Sequence, residues 1–471
     1  MKPLKSVFTI LLLFFIFSEL PGQTPGGGIT PEVLIQLRNS YQNTPSDKAI
    51  RNAINNIDIN QLTINNNNQN LNDTYFSNKV NTKSISDQKS SGRCWMFTGM
   101  NVLRAKAIAK HNLPFDFQFS QNYTFFWDQL EKANLFLQAI IDTREKPMSD
   151  KTVEWLFKNP IGDGGQFTGI ANLVSKYGIV PKEVMPESYS SNNTSRMQML
   201  LSLKLREFGL ELRSMPTQKT KDIKITLADK KNEMLKNIYR LLVLNLGEPP
   251  TEFSWTQKDN SGKPLSTSTY TPASFFQKFV NEDFNNYVML MNDPTREYFK
   301  VYEIEYDRHV YDGQNWKYLN LPMDEITKMA ITSIKDSTTL YFSCDVGKFL
   351  NRDKGYLDLD NFDYSSLMGT SFGMNKKQRI ETFASGSSHA MTLCAVDLDT
   401  NNNPLKWMVE NSWGSSYGFN GFLIMTNEWF NEYMFRLVVE KKYIPDNILK
   451  MLDQKPILLP PWDPMFAPEE D

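Results

Sequence analysis

The sequence predicts an α+β fold in two lobes, and three observations point to it. Helix-forming periodicity dominates the first half, a strand–loop–strand pattern dominates the last hundred residues, and the stretch between alternates short apolar runs with turn residues. The chain has 471 residues, 40% of them hydrophobic, which is enough to bury a full core without disulfide staples. Its 51 Lys and Arg against 53 Asp and Glu leave a net charge of −2 and exclude a nucleic-acid binder that works through bulk positive charge. Three cysteines cannot form a disulfide framework, and three histidines leave little for multi-metal chemistry. No metal and no other cofactor is expected.

Residues 1–22 read as an export signal. Basic Lys2 and Lys5 precede an apolar run from Val7 to Phe17, followed by the polar, breaking stretch Ser18 to Gln23. The run is shorter than the roughly 20 residues needed to cross a bilayer. Export to the periplasm or outside is therefore expected, with an uncleaved N-terminal anchor or a cytoplasmic protein as alternatives. Residues 23–80 form a leader and connector, in which the Asn-rich stretch 52–72 reads as an exposed link because Asn favours turns.

The first well-specified helix begins at SSGRCWMF. Met96, Met100, Leu103 and Ala107 share one helical stripe, Ser90 or Ser91 is placed to cap its start, and Asn112 with Pro114 ends it. A second amphipathic helix is predicted within 166–178, broken at Gly178 and Pro181. Residues 195–246 are helix-rich and charged, and 266–345 mix helix and strand. From 388 the chain reads as strand, the loop DTNNNP, strand, and then the short strand FLIMT.

The chemistry concentrates in one cysteine and one histidine. Cys94 falls in the first turn of its helix, where partial positive charge and N–H groups favour a thiolate. Cys344 and Cys394 sit in apolar strand-like runs, where a free cysteine behaves as a small hydrophobe. His389 opens one strand and Asn411 ends the next. Their even separation allows a hairpin centred near Thr400 to set them opposite each other, pairing Met391 with Val409 and Leu393 with Trp407. Asn411 is then placed to orient the imidazole without adding charge. His111 and His309 read as surface or structural residues. The stretch GDGGQF (162–167) lacks the spacing of a phosphate loop.

These residues carry a resemblance. DQKSSGRCWMF from Asp87, SHAMT from Ser388 and VENSWG from Val409 resemble the papain-like cysteine peptidases, and in particular the bleomycin hydrolase/aminopeptidase C family. The likeness continues through MPESYSS (185–191), KLREFGLELR (204–213), CDVGKF (344–349), MTNEWFNEYMF (425–435) and LPPWDPM (459–465). It implies a papain-like two-lobed fold spanning 81–471. One lobe is helical and holds the cysteine helix; the other is β-barrel-like and holds the histidine and asparagine. An inserted helix-rich and mixed region (195–340) and a C-terminal arm (455–471) complete it.

The resemblance makes Cys94 the nucleophile, His389 the general base and acid, Asn411 the imidazole orienter and Gln88 an oxyanion donor. It places Gly164 and Gly165 along the substrate backbone and sets Trp413 over the His389–Asn411 bond. It implies a thiol-dependent aminopeptidase acting on peptides, working under reducing conditions and assembled as a homohexamer. In the family the terminal carboxylate of the arm meets the substrate's α-amino group, a role that falls here to Asp471. This tail ends in Glu469, Glu470 and Asp471 rather than in small residues. Its alteration keeps open an endopeptidase or a dipeptide-releasing peptidase, and an inert peptide-binding scaffold is the other alternative.

Overall fold

The computed structural model describes residues 26–68, 73–82, 85–215 and 221–463, with the side chains of 221–225 left out. The signal segment, Asp471 and the last residues of the C-terminal arm lie outside the described residues. Among the described residues no helix is long and apolar enough to cross a membrane.

The contacts divide the chain at Thr63 into two compact units. The first holds α1 (Pro31–Ser40), α2 (Pro45–Ile54) and α3 (Ile59–Thr63). Thr30 and Thr44 cap α1 and α2, each followed by a proline in the first turn, and Thr44 forms a reciprocal capping box with Asp47. Much of the stretch read as a connector is therefore helical. Asp58 accepts from the N–H groups of Asn60 and Gln61 at 2.9 and 3.3 Å, which starts α3 inside the Asn-rich run.

In the second unit, α4 (Cys94–His111) packs against α5 (Gln121–Asp142) and α7 (Phe167–Tyr177), and α6 (Lys151–Lys158) packs on α5. The predicted stripe of Met96, Met100, Leu103 and Ala107 is fully buried, and burial extends around the helix from Cys94 to Arg104. Neither serine caps α4. Arg93 occupies the N-cap position without a side-chain bond, and Asn112 closes the C-terminus with φ +49°. The short α8 (Tyr189–Asn192) leads into α9 (Ser195–Ser214) and α10 (Lys221–Leu246), both packed on α5.

The strands are β1 (Asn78–Lys79), the hairpin β2 (Phe253–Lys258) and β3 (Pro264–Tyr270), then β4 (Tyr287–Met291), β5 (Lys300–Ile304), β6 (Lys317–Asn320), β7 (Leu340–Cys344), β8 (Leu350–Asn351), β9 (Tyr356–Leu357), β10 (His389–Leu398), β11 (Pro404–Glu410), β12 (Phe422–Thr426), β13 (Met434–Glu440) and β14 (Ile457–Leu459). All except β2 and β3 join one sheet in the order β14-β5-β6-β4-β13-β7-β10-β11-β12-β9-β8, with β1 added on β10. The stretch 195–340 thus supplies β4, β5 and β6 to the main sheet as well as helices. Helix α4 lies against β10 and β7, so the start of the cysteine helix meets the strands that carry the histidine.

The β10–β11 hairpin forms as predicted, but with a different register. Leu393 pairs with Val409 rather than Trp407, and Thr392 pairs with Glu410. The connection is centred one residue later than Thr400. Asp399 accepts from the N–H groups of Asn401 and Asn403, and Asn402 takes φ +65°. Two irregularities, at Leu393/Ala395 and Asp397/Leu398, offset each other. The net displacement is two residues, which preserves the face of every side chain near the strand ends. His389 and Asn411 therefore still meet, as diagonal neighbours.

Candidate active site

The histidine is built first by its strand. β10 is hydrogen-bonded on both sides, to β11 and to β7, where His389 pairs with Cys344. Its imidazole is 6% exposed, and its Nε2 lies 2.8 Å from the side-chain oxygen of Asn411. That oxygen also accepts from the Ser412 N–H at 2.8 Å, so it is an acceptor and Nε2 carries the proton. Nδ1 is the nitrogen left to act as a base. Burial pulls the imidazole down to about 4, although the Asn411 bond acts in the opposite direction. Trp413 covers the ring, with centroids 4.9 Å apart at 33°, and is itself half-buried.

Cys94 is the first residue of α4 and 4% exposed. Its thiol is near Cys344, whose own thiol is pushed well above its usual range by burial, by Asp345 and by Cys94. Since Cys344 is the ladder partner of His389, the sulfur and the imidazole share one corner of the sheet. Cys394 lies in a small apolar cluster with Phe76, Ala395 and Met408, and burial drives its thiol far up, leaving an inert hydrophobe.

Gln88 is held rigidly on the loop before α4. Its amide nitrogen donates to the Ser91 carbonyl at 2.6 Å, its side-chain oxygen accepts from the Ser412 hydroxyl at 2.6 Å, and its backbone N–H reaches the Ser412 carbonyl at 2.8 Å. The loop before the cysteine and the segment after Asn411 are thereby joined.

The two glycines differ. A Cβ on Gly165 would run into the His309 ring and Trp95, whereas nothing lies within 4 Å of one on Gly164. At Gly165 the missing side chain makes room for His309; at Gly164 it leaves open space in the cleft. His309, read from the sequence as surface or structural, is buried: its Nδ1 pairs with Asp128 at 2.5 Å and its ring lies 4.6 Å from Trp95.

Asp163 is the residue that sequence reasoning missed. Its carboxylate accepts from the Gly92 N–H at 2.7 Å and from the Thr194 hydroxyl, and its carbonyl accepts from Trp95 Nε1 at 2.8 Å. It therefore ties the cysteine turn to the glycine segment and to the start of α9. Lys132 completes the tie, donating to the carbonyls of Gly162 and Gly164. The sequence signal was GDGGQF itself, read only for its glycines. Removing the acceptor strands two donors, at about 1–3 kcal/mol each when buried. Asp163→Ala should therefore lower kcat/KM by roughly tenfold or more and lower the urea midpoint, with Asp163→Asn recovering most of both. An unchanged kcat/KM in the alanine variant would reject this role.

No group of three or more His, Cys, Asp or Glu side chains suited to a metal occurs among the described residues. The chemistry available is that of a buried thiol, an oriented imidazole and fixed amide donors.

Comparisons with known proteins agree with this geometry. The model of the Peptidase C1-like family matches residues 28–466. Bleomycin hydrolase of Homo sapiens is 40% identical over 394 residues, covering 82% of this chain and 86% of its own length. Aminopeptidase C of Lactobacillus delbrueckii subsp. lactis is 38% identical over 402 residues, covering 84% and 88%. The crystal structure of PepW from Lactobacillus rhamnosis HN001 superposes with a TM-score of 0.89 at 36% identity, over 94% of this chain and 99% of that one. With the cysteine helix, the histidine strand and the asparagine in place along a chain matched nearly end to end, this protein belongs to the Peptidase C1-like family of papain-like cysteine peptidases, on its bleomycin hydrolase/aminopeptidase C branch.

Proposed function

We propose that the chain is a thiol-dependent aminopeptidase in which Cys94 attacks the first peptide carbonyl of a substrate. The observation that carries this reading is the 2.8 Å contact between His389 Nε2 and the Asn411 oxygen, which fixes the tautomer and turns Nδ1 into the base. Nδ1 takes the proton from the Cys94 sulfur. Each charge of the resulting thiolate–imidazolium pair offsets the other's desolvation, and the start of α4 favours the anion. The sulfur bonds to the carbonyl carbon while the oxygen collects negative charge. Gln88 spends one amide hydrogen on Ser91, and its second is the donor assigned to that oxygen together with the Cys94 backbone N–H. The imidazolium gives its proton to the departing amine, leaving an acyl-thioester. Water, deprotonated by the same imidazole, cleaves the thioester and restores the thiol.

Residues 1–22 support export, and the family resemblance supports a homohexamer. Reducing conditions keep the nucleophile a free thiol. Asp471 remains the group proposed to meet the substrate amine.

The test is a peptide with a free amino terminus and its N-acetylated twin, each incubated with reduced enzyme and with Cys94→Ala. Cleavage of the free-amine peptide alone, lost in the variant, is the expected result. Equal cleavage of both peptides would replace the aminopeptidase with an endopeptidase, and no cleavage of either would leave a binding scaffold.

A further inference from the structure

A cavity of about 390 Å³ opens beside the glycine segment. It is lined by Gly92, two residues before Cys94, and by Ser387, two residues before His389, together with Gly164, Gln166, Asp307 and Arg436. A peptide that lies along Gly164 with its scissile carbonyl at Cys94 directs the residue on the amino side of the cut into this space.

The charged groups around the cavity are unequally satisfied. Asp128 is fully buried but compensated: His309 and Lys132 both contact its carboxylate and hold it below the usual carboxylate range. Asp163 has the two donors described above. Lys132 is used on Asp128 and on two glycine carbonyls. Arg308 donates to Asn315 and lies over Tyr311, while Arg436 lies 4.5 Å over Trp316 and donates to the Gln166 oxygen.

Among the cavity's carboxylates that a hydrogen bond orients, Asp307 has the fewest partners. Its side chain has one hydrogen bond among the described residues, from Gln166 Nε2 at 3.0 Å. Arg436 in turn holds Gln166, so the carboxylate is oriented, yet its second oxygen has no hydrogen-bond donor among the described residues. Burial pushes the acid upward more strongly than Arg436, His309 and Lys132 pull it down. An oriented, under-compensated carboxylate at the edge of a cavity gains most from a hydrogen-bonding cation.

We propose that Asp307 is a specificity-determining residue that binds a cationic group of the substrate residue on the amino side of the cut. This deepens the peptidase reading and rests on it. The cation is the head of a basic side chain, since the N-terminal ammonium is the group assigned to Asp471.

The experiment measures binding so that it stands apart from turnover. Calorimetric Kd values are taken in the Cys94→Ala background, with and without Asp307→Asn. The three peptides begin with leucine, with lysine and with N-acetyl-leucine, and are otherwise identical. Loss of one charge-assisted bond predicts a Kd raised roughly ten- to hundredfold for the lysine peptide. A rise for both free-amine peptides but not the acetylated one would give Asp307 the ammonium and overturn the side-chain assignment. A rise confined to the lysine peptide assigns the side chain. Glu305→Gln, which alters a second carboxylate lining the cavity, should leave all three values unchanged. Equal Kd values for Asp307→Asn and its parent across all three peptides, or an equal rise for all three, would overturn the proposal. Failure of the peptidase reading would show separately, as absent turnover by the Cys94 enzyme.

Discussion

Cys94→Ala is expected to abolish turnover, by a factor on the order of 10⁶, and at the same time to move the titration of His389 toward pH 4. The first effect follows because a nucleophile and its base act as one unit, so losing either removes nearly the whole covalent route. The second follows from electrostatics. The buried imidazole by itself is held down to about 4, because charging it without a partner is unfavourable despite the bond from Asn411. Only an adjacent thiolate makes the imidazolium stable near neutrality, and the two titrate together. Removing the sulfur removes that partner. With three histidines in the chain, His111, His309 and His389, side-chain NMR can follow each one. His389 should titrate well above 4 in the native enzyme and near 4 in the variant. An unchanged His389 titration would show that the thiol and imidazole are not paired.

The linkage gives the same variant a stability signature. The His389 pKa in the folded state lies below that of the unfolded chain, near 6.5, so protonation favours unfolding. Stability contributed by the neutral ring is present above about pH 6.5 and is lost as pH falls toward 4. In the native enzyme a thiolate narrows that window by raising the folded value. Denaturant titrations of Cys94→Ala should therefore show a steeper loss between these pH values than the native protein.

Much of this site was legible because its residues obey local rules. The stripe from Met96 to Ala107 carries the helix period, and the helix forms where that period begins. The pairing of β10 with β11 was legible from two apolar runs around an Asn-rich turn. Its register was not, because Asn402 accepts a left-handed conformation and Asp399 gathers the turn's N–H groups, moving the centre of the loop. The error did no damage to the site, since a two-residue shift preserves strand faces. Asp163, Asp307 and the Asp128–His309 pair were not legible. Their roles depend on which side chains meet across long sequence separations, and neither periodicity nor composition records that. The helices within 45–63 were missed for a different reason: Asn-rich composition outweighed the capping signals of Thr44 and Asp58.

One such long-range contact holds the two halves of the catalytic centre together. Arg104, on the helix that Cys94 begins, donates to Glu410, the residue before Asn411, at 2.6 Å, and both side chains are almost wholly buried. Burial pushes the Glu410 carboxyl up even against the pull of Arg104, so the pair adds little net stability over an apolar substitute. Breaking it is another matter. Glu410→Ala removes the carboxylate facing the guanidinium in the interface between helix and sheet, and truncating one partner of a buried ion pair lowers stability by about 3–5 kcal/mol. The double variant Arg104→Met, Glu410→Leu removes both charges and fills the space, so its unfolding free energy should return to within about 1–2 kcal/mol of native. Urea titrations of the single and double variants measure both values. A double variant as unstable as Glu410→Ala would mean that the pair is a true stabiliser rather than a matched set of charges that fixes how α4 meets the strand leading to Asn411.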